Sequence, residues 1–254
     1  GPVVGGFLGE LWGWQATFWL LLVVGLIILW LVYNDVGETS TRSGQTFAEQ
    51  VREYPELLTS QRFWGYAMAS ALSSGAFFSY VGGAPFIGTE IFGLDPSQLG
   101  FFFGAPAVGY FLGNFITGKF SARVGVNRMV LWGSLIVTFP MIVSLGMLAA
   151  GLGTVWVFFG FTAFVGLGNG MAIPNATAGM LSVRPKLAGT ASGLGGAIML
   201  GGGAAMSALA GLLLTPSTGA WPLLWMMTGN ASASVLVALL VIRRTRQLRG
   251  LDLS

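Results

Sequence analysis

Gly118-Lys-Phe-Ser-Ala-Arg-Val-Gly-Val-Asn-Arg128 is a short basic stretch, punctuated by glycine, between two long runs that carry no charge. Residues 96–118 on one side and 129–183 on the other contain no Asp, Glu, Lys or Arg. A charged side chain at the centre of a bilayer costs about 3 kcal/mol on insertion scales, so clean runs of this length are what spanning helices require. Lys119, Arg123 and Arg128 therefore mark a membrane surface. The stretch has two readings: a topology signal that simply stays on one side, or a hinge in which Gly118, Arg123, Gly125 and Arg128 take part in a conformational change.

Composition extends the membrane reading to the whole chain. Of 254 residues, 54% are hydrophobic and 8% charged, with a mean hydropathy of +0.76; soluble domains carry about 25% charged residues. The net charge of +3 does not point to nucleic acid, because the basic residues are scattered over several short segments and form no single patch. With no cysteine and no histidine, disulfides, thiol chemistry and the common zinc sites are excluded, and no cofactor is expected.

Residues 11–34 form the first complete uncharged span, between Glu10 and Asp35. About 20 helical residues cross the hydrocarbon core. Residues 1–9 are too short to span and lack the charged start of a signal peptide. They read either as the end of a helix that begins upstream or, at Gly1-Pro2, as a purification-tag scar. Residues 35–62 change character: eight charged residues sit among Ser, Thr and Gln, so this is a solvated linker. Within it, Phe47, Val51, Tyr54, Leu57 and Leu58 predict a short amphipathic surface helix over 46–60, interrupted by Pro55.

Beyond the linker, the uncharged runs 63–89 and 96–118 are single spans. Runs 129–183 and 187–242 are each twice a spanning length and predict helical hairpins turning at Ala150–Thr154 and Thr215–Gly219. The expected total is seven complete spans, one before the linker and six after it. With loops alternating sides, every Lys and Arg falls on one face, and the other carries only Glu10, Glu90 and Asp95. The positive-inside rule then places the linker and the C-terminus in the cytoplasm. The six later spans invite division into three plus three, although no internal identity marks the repeat.

Proline cannot donate to the carbonyl four residues back, so Gly1-Pro2 followed by Gly5-Gly6 predicts a bent, closely packed helix. Candidates to line a substrate cavity are polar or aromatic groups at mid-membrane depth beside helix irregularities. Ser74, Phe77 and Tyr80 precede Gly82-Gly83 and Pro85, Asn114 lies in another span, and Asn169 and Asn175 flank Pro174. Each asparagine has an equally simple structural reading, since a neighbouring helix satisfies a buried amide as well as a ligand does. Phe101–Phe103 and Trp221–Met227 read as interfacial or lipid-facing residues. A seven-helix receptor shares this span count; a retinal pump does not fit, because Lys119 and Lys186 lie outside the spans. An enzyme is disfavoured because the spans hold no His, Cys or paired carboxylates.

Several motifs resemble the drug:proton antiporters of the major facilitator superfamily. Gly1-Pro-Val-Val-Gly-Gly6 resembles the second half of the signature on their fifth helix, and Gly13-Trp-Gln-Ala-Thr-Phe-Trp19 the start of their sixth. Gly118–Arg128 is similar to the second copy of the superfamily's cytoplasmic loop motif. Gly168-Asn-Gly-Met-Ala-Ile-Pro-Asn175 and Ala188-Gly-Thr-Ala-Ser-Gly193 look like helices ten and eleven of the bicyclomycin and chloramphenicol resistance subfamily. The resemblance implies an all-α membrane protein with the major facilitator fold: seven complete transmembrane helices plus the end of another, a fragment of a twelve-helix transporter. On this reading residues 1–34 are the end of helix 5 and helix 6 of the N-terminal bundle. Residues 35–62 are the central cytoplasmic linker, and 63–254 are the C-terminal six-helix bundle with a basic tail. The implied activity is export of drug-like compounds or antibiotics from a bacterial inner membrane by proton antiport and alternating access, as a monomer when full length. Export of a metabolite such as an amino acid or sugar is the alternative within the superfamily. The sequence departs from the family pattern at Gln15, where arginine is usual, and at Ala122, where the fullest loop motif has aspartate. The helices in which the family keeps its proton-coupling residues lie outside the chain.

Overall fold

A computed structural model describes residues 2–35 and 54–251, and every element among them is helical. The chain divides into two compact units, Gly1–Val51 and Arg52–Ser254.

In the first unit, α1 (Pro2–Trp12) and α2 (Gln15–Asp35) are joined by a tight turn at Gly13. The expected span over 11–34 thus starts four residues late, because Gly13 takes a positive φ of 79° and ends α1 before α2 begins. Pro2 is the first described residue of α1, and the bend expected at Gly1-Pro2 falls where Gly1 lies outside the described residues. α2 is apolar on every side and buries none of its residues within the unit. Such a helix is at ease only in lipid or against further helices.

The second unit holds α3 (Gln61–Phe86), α4 (Pro96–Phe103), α5 (Ala105–Val124), α6 (Val126–Ala149), α7 (Val155–Leu181), α8 (Ala188–Leu213) and α9 (Trp221–Leu251). Three helix starts carry a side-chain cap. Ser60 and Thr154 accept from the backbone N–H groups of Phe63 and Val157 as N-caps of α3 and α7. Asp95 and Gln98 form a reciprocal capping box at α4. The Gln98 backbone N–H and then the Ser97 hydroxyl donate to the Asp95 carboxylate, which holds its pKa below the ordinary aspartate value. The predicted turns at 150–154 and 215–219 are present, with Gly151 and Gly219 at positive φ.

Six candidate spans pass on length and apolarity: Gln15–Asp35, Pro96–Val124, Val126–Ala149, Val155–Leu181, Pro185–Leu213 and Trp221–Gln247. The seventh expected span, α3, is long enough at 26 residues but less apolar. Its buried face carries Ser70, Ser73, Ser74 and Ser79. A helix surrounded by protein can hold hydroxyls that a lipid-facing helix cannot.

α3 and α7 are the two central helices. α7 packs mainly on α5 and α6, α3 packs mainly on α8 and α9, and the two sets join through α6 on α9 and α3 on α7. If α3 to α6 form one half and α7 to α9 the other, the leading helix of each half sits among the later helices of its counterpart. The contact pattern is therefore two-fold, which supports the three-plus-three division. Glycine makes the closest crossings possible: Gly109 and Gly166, on α5 and α7, each bring backbone against backbone of the other helix.

Three apolar clusters stack along the unit. At the end where α3 meets α4 lie Tyr80, Ile87, Phe158, Phe159, Leu223 and Met227. At the opposite end are Leu57, Phe63, Tyr66, Met180, Leu187 and Val241. Between them sits a slim layer of Ala69, Val130, Ala176 and Ala238. Leu57 shows what becomes of the predicted amphipathic helix: residues 54–58 are helical and this side chain is docked in the cluster, while 46–53 lie outside the described residues.

Candidate functional site

Small and hydroxylated residues at mid-depth make the interior polar without charge. Ser73 of α3 and Ser134 of α6 each meet Ser234 of α9 at 2.9 Å, and the Ser234 hydroxyl also reaches the Ala69 carbonyl at 3.2 Å. This hydroxyl knot ties three helices together. Ser134 and Ser234 were not singled out by sequence; the signal for Ser234 was its place in the Asn230-Ala-Ser-Ala-Ser234 run of a spanning helix.

The asparagines separate into distinct roles. Asn175 is buried and fully engaged: its Oδ1 accepts from Ser121, and its Nδ2 donates to Met171 O at 2.8 Å and Thr117 Oγ1 at 3.3 Å. Thr117 in turn donates to the Gly170 carbonyl at 2.9 Å, so Asn175 clamps α7 to α5. Asn114 turns back to the Tyr110 carbonyl of its own helix at 2.8 Å. Asn169 is different, because it is 3% exposed and its Oδ1 has no hydrogen-bond partner among the described residues. It shares a fully buried stripe of α7 with Thr162, Val165 and Ala176, and Phe159 and Ala176 at the two ends of that stripe meet Tyr80 and Ala69 of α3. Asn169 therefore points to the α3 side of the interior. An unmet amide oxygen in such surroundings is costly and calls for an explanation.

Tyr80 forms the hub of an aromatic wall. Its ring stacks on Phe103 at 5.0 Å, meets Phe159 edge-on at 6.3 Å and lies 6.5 Å from Phe77. The ring and its hydroxyl are fully buried, the hydroxyl beside Thr162, whose own hydroxyl donates to the Phe159 carbonyl. Ser74, nearly two turns earlier on α3, is buried and donates to the Ala71 carbonyl. Phe103 and Phe102 thus turn inward, and only Phe101 of that triplet faces outward as expected. Helical periodicity likewise divides 221–227: Trp221 and Trp225 face outward, whereas Leu223, Leu224 and Met227 are core.

The conformational candidates also separate. The basic stretch is not an extended turn, because α5 continues through Lys119 and Arg123 to Val124 and α6 starts at Val126. Gly125 alone is the joint, at φ 89° and ψ 145°, a conformation that residues with a Cβ avoid. Gly118 is exposed, with nothing within 4 Å of an added Cβ. Arg123 occupies the last turn of α5, near its orphan carbonyls. Gly5 lies 3.8 Å, measured from an added Cβ, from Thr17 of α2. Gly1 is outside the described residues, as are the side chains of Pro2 and Gly6.

At the same end as Arg128, Arg62, Arg243 and Arg246 border a common cavity, and Arg184 pairs with Glu56 at 2.8 Å close by. The basic residues of separate sequence segments thus gather at one end of the unit.

Comparison with known proteins agrees with this arrangement. A model of the Major Facilitator Superfamily matches residues 1–136 and 84–252. A bicyclomycin resistance protein homolog of Haemophilus influenzae is 28% identical over 98% of this chain and 63% of its own length. The multidrug resistance protein D of Escherichia coli is 26% identical over 89% of the chain and 56% of its own length. The multidrug transporter MdfA of Edwardsiella piscicida is 28% identical over 59% of the chain and 36% of its own length. The chain therefore spans roughly a third to two thirds of the length of these relatives. With a helical bundle, six apolar spans and a family match that runs nearly end to end, this chain belongs to the major facilitator superfamily.

Proposed function

We propose that this chain supplies the C-terminal bundle, together with the end of the N-terminal bundle, of an efflux transporter that exports small amphipathic compounds by proton-driven alternating access. Relatives named for bicyclomycin and multidrug resistance support the substrate class. The observation that carries the reading is a charge-free, aromatic-walled interior in which the Tyr80 hydroxyl is buried and Asn169 Oδ1 has no hydrogen-bond partner among the described residues. A site for varied amphipathic molecules is mostly apolar surface with a few polar groups to orient the ligand. Asn169, Tyr80, Phe77 and Ser74 are the proposed cavity residues on this side, and Asn114, on α5, is retained as a separate candidate. Asn175 is assigned to holding α5 and α7 in place.

The one-sided arginines support a multi-pass protein of a bacterial inner membrane with its C-terminus in the cytoplasm. α3, polar on its buried face, is the proposed seventh span. No Asp, Glu, Lys, Arg or His lies in the interior of any proposed span, so the coupling proton is assigned to helices outside this chain.

The test compares two asparagines in the full-length transporter. Asn169→Ala should lower resistance to some compounds several-fold and leave others unchanged, with abundance and thermal stability preserved. Asn175→Ala should instead lower stability by about 1–2 kcal/mol, the scale of buried polar contacts between membrane helices. Unchanged resistance to every compound in the Asn169→Ala variant would remove that residue from the substrate path.

A further inference from the structure

The basic end of the second unit holds a cavity of about 1090 Å³ with an unusual charge balance. Arg62 near the start of α3, Arg128 near the start of α6, and Arg243 and Arg246 near the end of α9 all border it. No carboxylate is among the described lining residues. The described acid nearby, Glu56, is engaged with Arg184 in an adjoining cleft. The Arg62 Nε is shielded from solvent and has no hydrogen-bond partner among the described residues. Tyr66 donates to Asn127 Oδ1 at 2.6 Å on the cavity wall, which fixes a polar lining beside the guanidinium groups.

Four guanidinium groups around one space repel one another unless an anion joins them. Arginine's planar fork matches phosphate oxygens in pairs, more closely than a lysine ammonium does. The wall towards the middle of the helices is apolar, formed by Leu131, Leu239 and Trp132, the last 48% exposed. A site that is basic at its mouth and apolar along one side suits a molecule with a phosphate at one end and hydrocarbon at the other. Basic pockets between transmembrane helices on the cytoplasmic side recognise anionic headgroups by the same physics.

We infer that this cavity is a phosphate-ester site, occupied by the headgroup of an anionic phospholipid from the adjoining leaflet. The site is separate from the drug cavity proposed above, and it stands whether or not that function is correct. Its ligand chemistry could also be met by a soluble phosphate ester, so the experiment must separate the two sources.

Native mass spectrometry of the purified 254-residue chain, with phosphatidylglycerol, phosphatidylcholine and glycerol phosphate each added in turn, makes that separation. Phosphatidylglycerol should be retained preferentially, and the double variant Arg128→Gln, Arg246→Gln should lose that preference roughly tenfold or more. Lys119→Gln with Lys186→Gln, which removes equal charge outside the cavity, should retain it within about twofold. Arg128→Lys with Arg246→Lys preserves charge without the fork and should give an intermediate loss, a comparison that holds even if the glutamine variant folds poorly. Saturable binding of glycerol phosphate that displaces the lipid and depends on the same arginines would support the phosphate site with a soluble occupant and overturn the lipid assignment. Equal loss in the lysine control, or no preference for phosphatidylglycerol over phosphatidylcholine with no glycerol phosphate bound, would overturn the site.

Discussion

At Gly166 an added methyl group would collide with the Pro106 carbonyl of α5 and come within 2.8 Å of the Tyr110 nitrogen. These are backbone atoms, which cannot move aside as a side-chain tip can. Gly166→Ala should therefore destabilise the bundle by about 1–3 kcal/mol, the usual cost of overpacking. Gly146→Ala, where nothing lies within 4 Å, should be neutral. Thermal unfolding in detergent compares the two variants, and equal midpoints would show that the α5 and α7 backbones are not in close contact. Small residues four apart, as in Gly166-Leu-Gly-Asn-Gly170, share one helix face, so a packing surface is legible in the sequence there. The partition of the asparagines is not, because the residues that satisfy Asn175 lie more than 50 positions away on α5. Sequence distance also hid the hydroxyl knot, whose members are 100 and 161 residues apart.

Among the helices, the joint between α5 and α6 is the most telling. The run 118–128 looked like a loop because it holds three cations and two glycines, yet Lys119 and Arg123 have good helix propensity and extend α5 to Val124. Long basic side chains at a helix end keep their charges in water while their stems cover apolar surface, so charge marked the membrane boundary and not the helix end. Gly104 and Pro106 explain the second difference, the division of the expected 96–118 span into α4 and α5. Proline is accepted in the first turn of a helix and disfavoured further in, so α5 starts anew there. Arg123 lies in the last turn of α5, where it can cap the helix carbonyls, and it can reach loop carboxylates of a partner bundle only while the proposed cytoplasmic ends meet. In the full-length transporter, Arg123→Ala should lower export several-fold with near-normal membrane abundance. Unchanged export would leave this residue as a topology signal alone.

Over the whole molecule, the two-fold exchange of α3 and α7 could not be read from the sequence, which shows no clear internal identity. Physical spacing encodes it instead: α3 carries glycine and a buried row of serines, and α7 carries glycine and two buried asparagines, small and polar residues that suit a helix surrounded by protein. Span positions were legible because charge is so costly in hydrocarbon, and Arg62, Arg128, Arg184, Arg243 and Arg246 gather at one end of the second unit. Orientation can be checked with single cysteines. Those replacing Leu152 or Ser217, at the neutral turns, should react with an impermeant reagent in intact cells, and one replacing Lys186 should react only after permeabilisation. Labelling of Lys186→Cys in intact cells would invert the proposed topology.

The proposal that this chain is part of a proton-driven exporter rests on spans whose interiors carry no Asp, Glu, His, Lys or Arg and on relatives longer than the chain itself. Its most direct test is transport by the purified chain in proteoliposomes under an imposed proton gradient, with and without the upstream helices of a full-length transporter. The chain alone should show no gradient-dependent export, and supplying those helices should restore it. Gradient-dependent export by the 254-residue chain by itself would contradict the account.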